Sequence, residues 1–250
     1  MEINHVSSEG SVRKTALITG ASRGIGRAVA ECFAEASYDL ILTCISSVMQ
    51  LEELAGALSR SYGINCRAVQ ADMGNADDVS LLFSKITELD VLINNAGISY
   101  FGLLSEMNTE DWRKLMRVNL DAVFYTCRLA IPLMLKEHKG HIVNISSVWG
   151  NVGASMETAY SASKGGVNAL TKALAKELAP SNIQVNAIAC GMIDTDMNAH
   201  LSGEEMNRIR SEIPANRLGA PEEAARLVLQ TVQAPPYMTG QIITIDGGWN

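Results

Sequence analysis

The chain has 250 residues, 47 % hydrophobic and 19 % charged, with a formal net charge of −7. This composition predicts a soluble globular protein with a sizeable core, and the acidic balance argues against nucleic-acid binding as its main business. Its five cysteines form no CxxC pair and read as buried small hydrophobes in a reducing compartment, and with four scattered histidines they offer no metal site.

In chain order, residues 1–13 are polar, acidic at the start and without the apolar core of a signal peptide. They are expected to form a flexible arm ahead of one domain at 14–250. No apolar run reads as membrane-spanning, so the cytoplasm is the expected compartment. Short apolar runs then recur: TALITG, DLILTC, CRAVQAD, DVLINNAG, HIVNISS, IQVNAIA and QIITIDGG. They are rich in β-branched residues, lack clean alternation and often end in Gly, Asn, Asp or Ser, the pattern of strands buried on both faces. Between most of them lie amphipathic helical segments, at 24–36, 49–62, 77–86, 110–135 and 159–178. Such alternation predicts right-handed βαβ units and an α/β fold: a single-domain, doubly wound parallel sheet, Rossmann-like, with helices on both faces. Residues 191–220 have helical content but no strand, where a lid or substrate loop is expected.

The first run leads into a glycine-rich turn, TGASRGIG. Gly20 permits the tight turn, Gly24 a close backbone approach to a ligand, and Gly26 close helix–strand packing; Ser22, Arg23 and Ile25 belong to the same turn. The following helix offers unpaired N–H groups and a partial positive charge to a pyrophosphate. Further along, Tyr160 and Lys164 are spaced to share one helix face. A nearby ammonium lowers the pKa of a phenol, ordinarily about 10. Ser147 upstream supplies a neutral hydrogen bond to a substrate oxygen. A bare YxxxK also arises by chance, as a surface tyrosine beside a solvated lysine.

The spacing G-x-x-x-G-x-G, NNAG at 94–97, Asn119 in VNL, the Ser147/Tyr160/Lys164 set and GMIDTDM at 191–197 together resemble the short-chain dehydrogenase/reductase family, from about Lys14 to the C-terminus. The resemblance implies an NAD(P)-dependent oxidoreductase acting on CH–OH or C=O groups. It implies Tyr160 as general acid, with Ser147 rather than Ser146 polarising the oxygen. Lys164 would lower the tyrosine pKa and bind the nicotinamide ribose, and Asn119 would hold a water linking Lys164 to solvent. The implied cofactor contacts are the glycine turn, Asp72 at the adenine edge beside the Met73 backbone, and Asn94, Ala96 and Gly97 near the ribose. Tyr160 and Lys164 join them, with Ile193 and Thr195 holding the carboxamide. A capping role for Asp72 at the helix near Asn75, and strand-tying by Asn94 and Asn95, stay open. Cys190 stands where the family usually has proline, which would set a thiol near the nicotinamide pocket.

The second strand ends LTCISS, with no carboxylate to repel a 2′-phosphate, and the Arg23 guanidinium is positioned to reach one. NADP(H) is therefore favoured over NAD(H). Within the family the chain looks most like bacterial 3-oxoacyl-acyl-carrier-protein reductases, on TGASRGIGRA, YSASKGGVNALTKALAKEL and TGQIITIDGG. That resemblance implies reduction of a 3-oxoacyl thioester in fatty-acid biosynthesis, acyl carrier protein as a partner, and a homotetramer built on the helices at 110–135 and 159–178 and the C-terminal segment. An acidic carrier needs basic groups beside the pocket, for which Lys136, His138 and Lys139 are available. An arginine often seen just before the I-x-V-N strand is absent from APSNIQVN. A reductase or dehydrogenase for another small ketone or alcohol (a sugar, steroid or secondary alcohol) and a non-catalytic dinucleotide-binding regulator are the alternatives.

Overall fold

Apolar, β-branched runs that lack alternation are stable only where both faces of a sheet are covered, and the chain builds such a sheet. The computed structural model describes residues 13–199 and 201–250, so all but the last residue of the expected N-terminal arm lies outside the described residues. Seven parallel strands are β1 (Thr15–Ile18), β2 (Asp39–Cys44), β3 (Cys66–Gln70), β4 (Val91–Asn94), β5 (Gly140–Ser147), β6 (Ile183–Cys190) and β7 (Ile242–Ile245). Their order is β3-β2-β1-β4-β5-β6-β7, the doubly wound arrangement expected. The helices are α1 (Gly24–Glu35), α2 (Val48–Tyr62), α3 (Ala76–Phe83), α4 (Thr109–Met116), α5 (Ala122–Glu137), α6 (Trp149–Val152), α7 (Thr158–Leu178), α8 (Gly203–Glu212) and α9 (Pro221–Val232).

Alternation along each strand divides the core into two layers. Ala16 and Ile18 of β1 join Phe33 of α1, Leu51 of α2 and Val228 of α9 on one face. Leu17 joins Val79 of α3, Met134 of α5 and Val167 of α7 on the other. Each fully buried side chain of this size contributes roughly 1.5–3 kcal/mol.

The single helix expected at 110–135 is two helices, α4 and α5, joined by a π-helical turn at Arg117–Asp121. By length and composition alone the run Thr109–Glu137 is apolar enough to cross a membrane, a test that the core helix of a soluble protein also passes. In this fold its Val123, Cys127, Ala130 and Met134 are buried in the second core layer, as in a helix that covers a sheet. The segment 191–220 contains α8 and one isolated parallel bridge, between Ile193 and Gly219.

Candidate active site

Strand order reverses between β1 and β4, so the chain leaves their C-terminal ends in opposite directions and a crevice opens there. Thr19 and Asn95 build its floor. Thr19 Oγ1 accepts from the N–H groups of Asn95 and Ala96, and Asn95 Nδ2 donates to the carbonyls of Thr19 and Gly20, all at 3.0 Å. The glycine turn fits over this floor because side chains are missing. A Cβ on Gly20, whose φ is +64°, would stand 2.9 Å from Ala96 Cα, and one on Gly26 would collide with the Gly20 carbonyl.

At the end of β5, Ser146 and Ser147 face opposite ways, as period two requires. Ser146 Oγ donates to Asn168 Oδ1 at 2.6 Å, so it serves the junction of β5 with α7. Ser147 Oγ accepts from the backbone N–H of Trp149 at 3.2 Å and lines the same cavity as the Tyr160 phenol. Lys164, one turn beyond Tyr160 on α7, donates from Nζ to the Ile145 carbonyl at 2.8 Å, with Nζ 5.7 Å from the tyrosine ring centroid. Ser147, Tyr160, Lys164 and Cys190 share the wall of one cavity of about 520 Å³.

Burial pushes the Tyr160 phenol above its ordinary range; the Ser147 hydroxyl opposes this, while Glu157 and Cys190 add to it. The expected lowering by Lys164 is therefore corrected: burial of the phenol wins, and a lysine lowered to about 8 has lost its charge before the phenol ionises. Burial also lowers Lys164 to about 8, with Cys190 opposing. Cys190 is pushed up to about 12 by burial, opposed by Lys164. At neutral pH the cavity thus presents a protonated phenol, a proton donor, beside a lysine that titrates close to physiological pH.

A glycine turn at a switch point, with buried Ser147 and Lys164 and half-buried Tyr160 opening beside it, has counterparts among known proteins. Residues 14–206 match the family described as short chain dehydrogenase. The chain belongs to the short-chain dehydrogenase family. An uncharacterized oxidoreductase, YmfI of Bacillus subtilis, is 38 % identical over 241 residues, 96 % of this chain and 100 % of the relative. The 3-oxoacyl-[acyl-carrier-protein] reductase FabG of Aquifex aeolicus is 39 % identical, covering 94 % of this chain and 96 % of the relative. The 3-oxoacyl-[acyl-carrier-protein] reductase of Synechocystis is 40 % identical over the same shares. The crystal structure of YwfH, an NADPH-dependent reductase involved in bacilysin biosynthesis, matches with a TM-score of 0.90 at 26 % identity, over 96 % of this chain and 99 % of that one.

A short-chain dehydrogenase is an NAD(P)-dependent oxidoreductase, and the crevice of this one fits a dinucleotide. The Arg23 side chain does not cap α1 and no acidic residue occupies the helix's first turn, so its N–H groups face the glycine turn available to a pyrophosphate. Gly20, Ser22, Arg23, Gly24 and Gly26 form that turn, and Ile25, Gly97, Ile193 and Thr195 line the cavity with Tyr160 and Lys164. Thr195 lies against Gly24, where an added Cβ would meet its Cγ2 at 3.2 Å. Ala96 sits under Gly20, and the Met73 side chain is buried in the second core layer, which leaves only its backbone for a ligand.

Several expectations are corrected by where the side chains lie. Asn94 is turned into the core: its amide donates to Asn144 Oδ1 at 2.9 Å and its carbonyl oxygen accepts from Thr126, so it ties strands, while Asn95 faces the cavity. Asp72 does not cap α3, because Asn75 accepts from the Asp77 N–H. Asp72 instead accepts from the Gly74 N–H at 2.9 Å and lies 3.8 Å from Arg117 of the π turn. Asn119, also in that turn, accepts from the Ile98 N–H at 2.8 Å and donates to the Ile98 carbonyl and Ser163. Its side chain is thereby committed to protein, and any water would fall to the backbone, whose hydrogen bonding a π turn alters. Arg23 lies 3.9 Å from Asp196, both widely exposed. Lys136, His138 and Lys139 precede β5, at the opposite end of the strand from Ser147 and roughly 20 Å away. Lys139 is paired with Asp90 there. Among the cavity-lining residues that sequence reasoning missed are Trp149 and Trp249. Local patterning carries no signal for the second, since its neighbour is distant in the chain.

Proposed function

We propose that the chain catalyses NADPH-dependent reduction of a 3-oxoacyl thioester, carried by acyl carrier protein, to its 3-hydroxyacyl form. The observation that carries this reading is the convergence of Ser147, Tyr160 and Lys164 on the wall of one cavity beside the glycine turn. When bound, the dinucleotide supplies the hydride that reaches the carbonyl carbon. Tyr160 donates its proton to the carbonyl oxygen; the burial that raises its pKa keeps that proton loaded at neutral pH. Ser147 donates a hydrogen bond to the same oxygen, which strengthens as negative charge develops there. Lys164, tethered to Ile145, holds the ribose hydroxyls, and Asn119 in its π turn holds the water that returns a proton. The relatives named as 3-oxoacyl-[acyl-carrier-protein] reductases support the substrate. Arg23 in the turn, a β2 end without a carboxylate, and the NADPH-dependent YwfH support the coenzyme. On this reading the enzyme works in the cytoplasm as a homotetramer, supported by Trp112 and Phe124, which α4 and α5 leave exposed.

A reductase of another small ketone is the second reading, favoured by the distance of the Lys136–Lys139 cluster from the cavity. Rates on acetoacetyl-acyl-carrier-protein, free sugars and steroids, each with NADPH and NADH, separate the two. The first reading expects the carrier-bound substrate with NADPH to lead. Turnover confined to sugars or steroids overturns it.

A further inference from the structure

One wall of the cavity is aromatic, and half of it comes from the end of the chain. Trp149 lies two residues beyond Ser147, and its N–H donates to Ser147 Oγ at 3.2 Å. Its indole meets that of Trp249, with ring centroids 4.9 Å apart and planes tilted by 60°. Both rings line the cavity that holds Ser147 and Tyr160. Both are also anchored. Helix α6, which carries Trp149, lies so close to α7 that a Cβ on Gly150 would stand 2.8 Å from the Lys164 carbonyl carbon. Asn168 of α7 donates to Asn151 Oδ1 at 2.9 Å. On the other side, Asp246 Oδ1 accepts from the Gly248 N–H at 3.0 Å and Oδ2 from the Asn250 N–H at 2.8 Å, bracketing Trp249. Gly247 and Gly248 take φ of 68° and 84°, a left-handed backbone that turns the tail back over the cavity.

We propose that the Trp149–Trp249 pair sets the acyl selectivity of this reductase, admitting short 3-oxoacyl groups and disfavouring long ones, with Asp246 as the positioning residue of Trp249. The proposal rests on the reductase reading above. A ketone carbon whose oxygen is held by Ser147 and Tyr160 carries two carbon substituents. Because Trp149 and Trp249 line the same cavity as Ser147 and Tyr160, one substituent is set against the indole pair. Indoles are large and have few rotamers, so they discriminate by volume instead of yielding. Met192, Leu201 and Ile209 supply aliphatic lining to the same cavity, which accommodates the thioester arm.

The test compares wild type, Trp249→Ala and Trp249→Phe, with NADPH, on acetoacetyl- and 3-oxodecanoyl-pantetheine thioesters and, in parallel, on 2-butanone and 2-decanone. Trp249→Ala is expected to raise the long-to-short ratio of kcat/KM by about tenfold or more, since even one methylene in a tight pocket is worth about that factor. Trp249→Phe should keep the ratio near the wild-type value. Asp246→Ala, with the ring still present but its anchor gone, should move the ratio in the same direction, and Asp246→Asn, which keeps one of the two acceptor oxygens, should move it less. NADPH binding, followed by fluorescence, confirms that the variants are folded. An unchanged ratio in Trp249→Ala on both substrate pairs overturns the proposal. Wild-type turnover of ketones without any turnover of thioesters overturns the 3-oxoacyl-thioester reading instead, and the ketone ratio then decides the role of the wall.

Discussion

Lys164 Nζ lies 5.7 Å from the centroid of the Tyr160 ring while bonded, at 2.8 Å, to the carbonyl of Ile145. The two side chains share a face of α7, as their spacing requires, but the charge is anchored to β5 and not to the phenol oxygen. The lysine therefore holds strand and helix at a fixed separation, and the tyrosine keeps its proton through burial.

Tyr160→Phe removes only the phenol oxygen. Turnover is expected to fall by at least about a hundredfold, the usual scale for a lost general acid, while NADPH affinity measured by fluorescence titration stays close to wild type. Reduction at the wild-type rate by this variant would remove Tyr160 from the chemistry.

Burial lowers Lys164 to about 8, so its positive charge is complete below that pH and lost above it. NADPH affinity should weaken as the pH rises through this value, because a charge-assisted hydrogen bond is worth about 1.5–3 kcal/mol. Lys164→Gln should show no such inflection. An affinity in the wild type that is flat on both sides of pH 8 rules out a role for the ammonium in holding the dinucleotide.

Arg23 and Asp196 are both largely solvated, so their ion pair contributes little and is easily exchanged for a phosphate. Arg23→Gln is expected to raise the Kd for NADPH by about tenfold, a conservative figure for losing a charged partner of a phosphate, and to leave that for NADH nearly unchanged. Equal losses for both coenzymes would mean that Arg23 supports the turn rather than the 2′-phosphate.

His141, at the far end of β5, has its pKa lowered to about 4 by burial and by Lys14, with Asp90 opposing. The unfolded chain takes up this proton near pH 6.5 and the folded chain only near 4. The stability from neutral His141 is therefore complete above the first value and lost as the pH falls toward the second, by about 2–3 kcal/mol. Urea unfolding across that interval should show the loss, and His141→Gln should flatten it. An unaltered pH slope in the variant would assign the acid sensitivity to other groups.

Much of the site was legible because its parts are local. The glycine turn needs a strand before and a helix after it, and that order is visible in TALITGASRGIG. Tyr160 and Lys164 share a face through helical geometry alone. Asn94 was not legible in the same way. It and Asn95 are adjacent and chemically identical, and the choice between core and cavity depends on Asn144 of β5 and Thr126 of α5. The π turn was equally hidden, since Arg117–Asp121 continues an unbroken helical pattern and Asn119 is drawn out of it by Ile98 and Ser163.

The sequence by itself determined the alternation of strand and helix, the parallel sheet, the glycine turn between β1 and α1 and the shared helix face of Tyr160 and Lys164. Each follows from short-range periodicity or from backbone freedom at single residues. Only the tertiary structure decided which neighbour each polar side chain would meet and how far it would be shifted. It set Lys164 against Ile145, moved the Lys136–Lys139 cluster to the end of β5 away from the cavity, and brought Trp249 onto Trp149. Those outcomes depend on contacts between segments far apart in the chain. Sheet register and close packing create them, and no local pattern encodes them.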